Sequence, residues 1–179
     1  MAWGGRIAMV KLFLERMPSP VGDVMIGTDE AGDLRVVDFA DYEARMLRLL
    51  GRHYGESGFV LTKARKKSGA ARSLAAYFEG DLSTIDRVKT ANGGTDFQRT
   101  VWNELRSIPV GGTVTYGALA ARLGLPRAAR AVGLANGANP IAIVVPCHRV
   151  IGADGTLTGY GGGVARKQWL LAHEARTAR

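Results

Sequence analysis

One short stretch concentrates reactive side chains: Pro146-Cys147-His148-Arg149-Val150. Cys147 is the single cysteine in 179 residues. A thiolate is a nucleophile, and positive charge beside it draws a thiol below its usual pKa of about 8.5. A lone cysteine is also often a small buried hydrophobe, but His148 and Arg149 favour the reactive reading. Adjacent residues on an extended strand face opposite ways, so His148 meets Cys147 only across a turn or through a water. Glu174 is the one acid near the end of the final helix. A carboxylate that orients an imidazole recurs beside nucleophile–base pairs. One cysteine excludes an intramolecular disulfide, a CxxC redox pair and a four-cysteine zinc site.

These groups must be positioned by the elements around them. The apolar run Ile141-Ala142-Ile143-Val144-Val145 reads as a buried strand that Pro146 ends, so Cys147 is presented where the strand stops. Upstream, residues 10–16, 23–28 and 34–39 read as three strands of a β-meander, joined by turn formers. Residues 41–50 read as a helix with Tyr42, Met46, Leu49 and Leu50 near one face and Gly51 as its stop. Lys63-Ala64-Arg65-Lys66-Lys67 reads as a solvated loop or helix start. A second helix covers 69–79 and ends at Gly80.

Asn92-Gly93-Gly94 favours turns and flexible links, which divides the chain into domains at 1–91 and 92–179. Thr95 with Gln98 three residues on is a capping-box pattern, and Phe97, Val101, Leu105 and Ile108 continue at helical spacing over 95–108, with Pro109 as the stop. Residues 115–135 read as helix, tight turn, helix. Gly124 is the left-handed stop and Pro126 the start of the second helix. This is a helix-turn-helix pattern. Its second helix is nearly bare: Ala128, Ala129, Ala131, Gly133 and Ala135 carry almost no bulk. Such a helix packs closely on a neighbour or on an outside surface, and Arg127 and Arg130 favour a polyanion. Gly159-Tyr160-Gly161-Gly162-Gly163 lacks the Lys-Ser/Thr ending of a phosphate loop, so a mobile wall over a pocket suits it better. A last helix over 164–175 carries Trp169, Leu170, Leu171, His173 and Glu174.

Charge is unevenly placed. Residues 1–90 hold 14 basic and 12 acidic side chains, and residues 91–179 hold 10 and 4. Most of the +8 net charge therefore falls in the second half, as a nucleic-acid partner would require. No apolar run approaches the roughly 20 residues that span a bilayer. Lys11 and Glu15 interrupt any signal-peptide core, so a cytoplasmic protein is expected.

The segment around Cys147 resembles the signature of the O6-alkylguanine-DNA alkyltransferases, the methylated-DNA–protein-cysteine methyltransferases. The resemblance runs from about Gly94 to Glu174. It includes the helix-turn-helix, Arg130-Ala131-Val132-Gly133, Asn139-Pro140, the Tyr160 glycine loop and the run from Trp169 to Glu174. It implies an α+β protein, with a ribonuclease-H-like N-terminal meander domain and a mainly helical, winged-helix-like C-terminal domain. It also implies a single-turnover repair protein that flips O6-alkylguanine from duplex DNA and moves the alkyl group to Cys147. Activity on O4-alkylthymine stays open.

By the same resemblance His148 is the base, acting through a water. Glu174 orients it, and Asn139 braces the active-site turn. Tyr116 helps rotate the nucleotide and hydrogen-bonds the guanine. Arg130 is the finger that fills the stack, on a helix set in the minor groove. Arg127, Ala128, Ala129, Gly133 and Asn136 belong to that DNA-facing group. Carbonyls near Cys147 and Val150, the Gly161 amide and Tyr160 line the base pocket. Some members have Ser at the Gly161 position, so Gly161 implies a roomier pocket. No cofactor is implied. Some members hold an N-terminal zinc, but residues 1–90 offer only His53 and no Cys, so no metal is expected. Residues 1–9 carry no motif that supports a reading. When on DNA the protein would be nucleoid-associated. A monomer with no obligate protein partner is expected, with cooperative packing along DNA left open.

Two rivals start from the same residues. A cysteine hydrolase would hold its base directly against the thiol, which adjacent numbering disfavours. A non-catalytic helix-turn-helix regulator needs base-reading side chains, and the second helix offers mostly Ala and Gly.

Overall fold

The computed structural model describes residues 9–177. Residues 1–8, most of the unmatched N-terminal segment, lie outside the described residues. Strands β1 (Val10–Met17), β2 (Val24–Thr28) and β3 (Leu34–Phe39) form the expected antiparallel meander. A fourth strand, β4 (Phe59–Lys63), pairs parallel to β1 and gives the order β3-β2-β1-β4. Sequence reading misses β4 because a five-residue run carries no sign of a parallel partner about fifty positions away. Lys63 ends that strand, and residues 64–68 form the irregular connection.

Helix α1 (Glu43–Tyr54) does not stop at Gly51. It runs one turn further, to Gly55 at φ 81°, a left-handed conformation that glycine adopts at little cost. Its buried Met46 and Leu50 join Leu12 and Val36 in a small cluster on one face of the sheet. The other face carries the main core, which takes in helix α2 (Gly69–Glu79) and most apolar residues of the second half. Gly80 at φ 112° ends α2 as expected.

The Asn92-Gly93-Gly94 connector is not a loose link. Residues flanking it lie along the outer edge of β3, where Leu34 N donates to Lys89 O at 2.9 Å and Ala91 N to Leu34 O at 2.9 Å. Helix α3 (Asp96–Leu105) opens with the complete capping box: Gln98 N donates to Thr95 Oγ1 and Thr95 N to Gln98 Oε1. It ends three residues before the expected limit, in tight turns that bury Ile108.

Strand β5 (Val114–Thr115) leads into helix α4 (Tyr116–Arg122), which Thr115 caps through the Ala118 amide at 3.1 Å. Gly124 at φ 72° stops it. The second helix of the pair, α5 (Ala129–Gly137), begins three residues after Pro126, so that proline lies in the turn and not in the helix. Trp102 of α3 is fully buried and donates Nε1 to Ala135 O at 2.8 Å, locking α3 to α5. A short strand β6 (Val150–Ile151) pairs parallel to β5, and helix α6 (Val164–Thr177) closes the chain of described elements.

Candidate active site

The segment expected as a strand over 141–145 is a buried tight turn. Val145 N donates to Ile141 O at 3.0 Å and Val144 N to Ala142 O at 2.8 Å. Ile143 sits at φ 70°, costly for a β-branched residue by roughly 1–3 kcal/mol. Apolar composition and strand-like length mislead here. A fully buried turn has the same apolar signature as a buried strand. Asn139 holds the turn from inside: Nδ2 donates to Val145 O at 2.8 Å, and Ile141 N donates to Oδ1 at 2.9 Å. From outside, β3 holds it. Val37 N donates to Pro140 O at 3.0 Å and Ala142 N to Val37 O at 2.9 Å.

Cys147–Arg149 then forms a single 3-10 turn rather than an extended end. From this turn His148 reaches Glu174 of α6. His148 Nε2 and Glu174 Oε1 are 2.8 Å apart, and both side chains are fully buried. Glu174 gathers four further donors: Tyr77 OH, Arg149 Nη2, Arg149 Nε and the Gly111 amide. Burial opposes ionisation of Glu174, but His148 and Arg149 outweigh it and hold the carboxyl well below the usual carboxylate range. Burial keeps the imidazole below its ordinary value, against the pull of Glu174. A neutral imidazole beside an ionised carboxylate donates from Nε2. Nδ1 is left as a bare acceptor, and it has no partner in the protein.

The structure corrects two expectations about the thiol. Arg149 does not activate it: the guanidinium is buried, bound to Glu174 and to Ile108 O at 2.6 Å. The thiol itself is raised, not lowered. Burial pushes Cys147 up, and the Asn139 side chain and the charges of Arg45 and Lys167 recover only part of that shift. Iodoacetamide should therefore label Cys147 slowly at neutral pH. The rate should climb only above about pH 8.5, followed by intact mass. Labelling already at its plateau by pH 7 would contradict the burial argument.

The other predicted residues fall into two groups. Around the thiol, Tyr116 lies beside Thr158 and Asn136, with its phenol raised by burial. Tyr160 keeps a buried hydroxyl with no partner. Val150 O accepts Lys167 Nζ at 2.6 Å. Asn136, expected on the DNA-facing side, is only 5 % exposed. Its Nδ2 points inward, 3.5 Å from Cys147 O, because its position on α5 follows the buried Val132 and Ala135. Gly133 is half-buried beside Tyr116, where a Cβ would make an ordinary contact with the ring at 3.6 Å. Arg127 and Arg130 are exposed, with Ala128 and Ala129 half-buried between them. Leu134, 72 % exposed on the same helix, escapes sequence reading although its size marks it among small neighbours.

Lys167 also escapes it. This buried ammonium donates to Val150 O, Thr158 O and Gly159 O. Its place three positions before the buried Leu170 is the signal that was available. With Arg166 donating to Gly162 O, it tethers the glycine loop expected to be a mobile wall. Among the described residues no group of three or more His, Cys, Asp or Glu could hold a metal ion. No described helix is long and apolar enough to cross a membrane.

A buried thiol, an imidazole fixed by a carboxylate, and a helix pair with exposed arginines define a protein that reacts through its own cysteine beside a helix-turn-helix. Residues 96–176 match the family model described as 6-O-methylguanine DNA methyltransferase, DNA binding domain. A methylated-DNA–protein-cysteine methyltransferase of Salmonella typhimurium is 54% identical over 166 residues, covering 93% of this chain and 97% of the relative. One from Methanosarcina acetivorans is 47% identical over 156 residues, covering 87% and 94%. The crystal structure of Mycobacterium tuberculosis OGT in complex with DNA aligns with a TM-score of 0.75 at 40% identity, covering 95% of this chain and 94% of that one. The chain belongs to the methylated-DNA–protein-cysteine methyltransferase family.

Proposed function

We propose that this protein repairs alkylated DNA by moving the alkyl group of O6-alkylguanine in duplex DNA to Cys147. The observation that carries this reading is the pairing of His148 Nε2 with Glu174, which leaves Nδ1, one residue from Cys147 in the chain, as an unpartnered buried acceptor. A water between Nδ1 and the thiol takes up the proton as Sγ attacks. The O6–carbon bond breaks, a sulfur–carbon bond forms, and the guanine anion leaves. Tyr116, with a phenol that burial keeps protonated, hydrogen-bonds that anion. The thioether does not reverse by simple exchange, so each molecule acts once.

Asn136 Oδ1 and the Tyr160 hydroxyl are further buried polar atoms without partners around this turn. Together with the Gly161 amide they suit a flipped base that brings its own donors and acceptors. Extrusion is needed because the O6 substituent cannot meet a protein thiol inside the stack. Arg130 on the first turn of α5 is the side chain that enters the stack. The slim helix behind it suits a minor groove about 6 Å wide, whose degenerate pattern fits damage-directed binding. We also read 1–91 and 92–179 as two domains sharing one core. The meander with its parallel fourth strand supports a ribonuclease-H-like first half, and the β5–β6 pair supports a winged second half. A hydrolase is disfavoured because His148 makes its bond to Glu174 and none to the thiol.

Intact-mass analysis after incubation with a duplex containing O6-methylguanine tests the reading. One methyl should appear on the wild type, at Cys147 after peptide mapping, and none on Cys147→Ser. Methylated Cys147→Ser, or continued turnover by the wild type, would sink it.

A further inference from the structure

Gly161 has no room of its own for a side chain. A Cβ at that position would collide with Nη2 and Cζ of Arg45. Arg45 comes from α1, in the other half of the chain. It is anchored from behind, with Nη1 donating to Asp38 Oδ2 at 2.6 Å and Nη2 to Gly137 O at 3.2 Å. Asp38 is only 1 % exposed and accepts the Phe39 amide through its other oxygen. The charges of Arg45 and Asp38 both act on Cys147 and on Tyr160, the neighbour of Gly161. A cation from the N-terminal half therefore lies against the glycine loop, where a side chain at position 161 would stand. The space that glycine leaves at position 161 is taken by the guanidinium.

We propose that Arg45, fixed on Asp38, sets the size of alkyl group that Cys147 accepts. This rests on the reading of Cys147 as the alkyl acceptor. A methyl group leaves the guanidinium where it is. A benzyl group must push it off a buried carboxylate, and separating such a pair is costly. The glycine at 161 and the arginine at 45 form a matched pair: the first gives up its side chain so that the second can lie against the loop.

The test compares single-turnover rates on one duplex sequence carrying either O6-methylguanine or O6-benzylguanine, so that effects on DNA binding cancel in the ratio. Arg45→Ala should raise the benzyl-to-methyl rate ratio by about tenfold, the scale on which a pocket discriminates small apolar groups. Asp38→Asn/Arg45→Ala removes the carboxylate that would be stranded and should show the same rise, which covers poor folding of the single variant. Gly161→Ser alone should slow both substrates. In the Arg45→Ala background the added hydroxymethyl should bring the ratio back towards the wild-type value. An unchanged ratio in both Arg45→Ala proteins, or equal losses on both substrates, would overturn the proposal and leave Arg45 a structural strut. Failure of the wild type to methylate Cys147 at all would instead overturn the reading beneath it, and the proposal with it.

Discussion

Glu174→Gln should lower unfolding free energy by about 3 kcal/mol, the scale for removing one partner of a buried ion pair. The reason lies in what the substitution strands. The Arg149 guanidinium is buried and makes two of its three side-chain bonds to Glu174, and neither Tyr77 nor His148 keeps its anionic acceptor. Denaturant titration of both proteins reads the difference. The pH dependence gives an independent check. The folded carboxyl sits below its unfolded value, so its contribution is complete above that unfolded value, about 4.3. It is lost as pH falls below that point towards the folded value. The wild type should lose stability through this acid window, and Glu174→Gln should lose correspondingly less. Parallel acid curves would show that the carboxylate is not the stabilising group. Alkyl transfer should also slow, because a Gln amide can present its NH₂ group to the imidazole and so shift the proton to Nδ1, where the acceptor is needed.

Asn139→Ala should slow alkyl transfer by at least about a hundredfold, the size of effect expected when a reacting atom shifts by an ångström. The side chain supplies the donor to Val145 O and the acceptor for Ile141 N, both buried. Without it Ile141 N loses its acceptor, at a cost of about 1–3 kcal/mol, and Val145 O keeps only the Cys147 amide, next to an Ile143 already held at positive φ. The turn relaxes, and Cys147 moves with it. Rates on methylated duplex measure the loss. Asn139→Asp restores one acceptor but no donor and should recover little. A variant with near-normal rate and reduced stability would reduce Asn139 to a fold residue.

The site was legible in sequence where local chemistry was unambiguous. Thr95 with Gln98 fixed a helix start and Gly80 a helix end, and the expected pairing of His148 with Glu174 is present at 2.8 Å. It was not legible where distant segments decide the environment. Nothing beside Arg149 in the chain shows that its charge meets Glu174. Nothing beside Cys147 shows that burial outweighs the cations around it. Nothing in the 41–50 segment shows that Arg45 reaches Gly161 in the other half of the chain. The 141–145 run failed for another reason: its turn satisfies its backbone through Asn139 and Val37, and hydropathy does not register such bonds.

Contacts between the two halves of the chain, the seam of β3 with the cysteine turn among them, also govern assembly. Tyr77 meets Glu174 across 97 residues of chain, and Arg45 meets Gly137 across 92. Contacts of such separation carry a large loop-closure entropy and form late. A chain whose halves have not met therefore lacks the Tyr77 donor to Glu174 and the β3 brace on the cysteine turn. For a molecule with one use, the burial that completes the site also withdraws the thiol from small electrophiles, to which an open chain leaves it exposed.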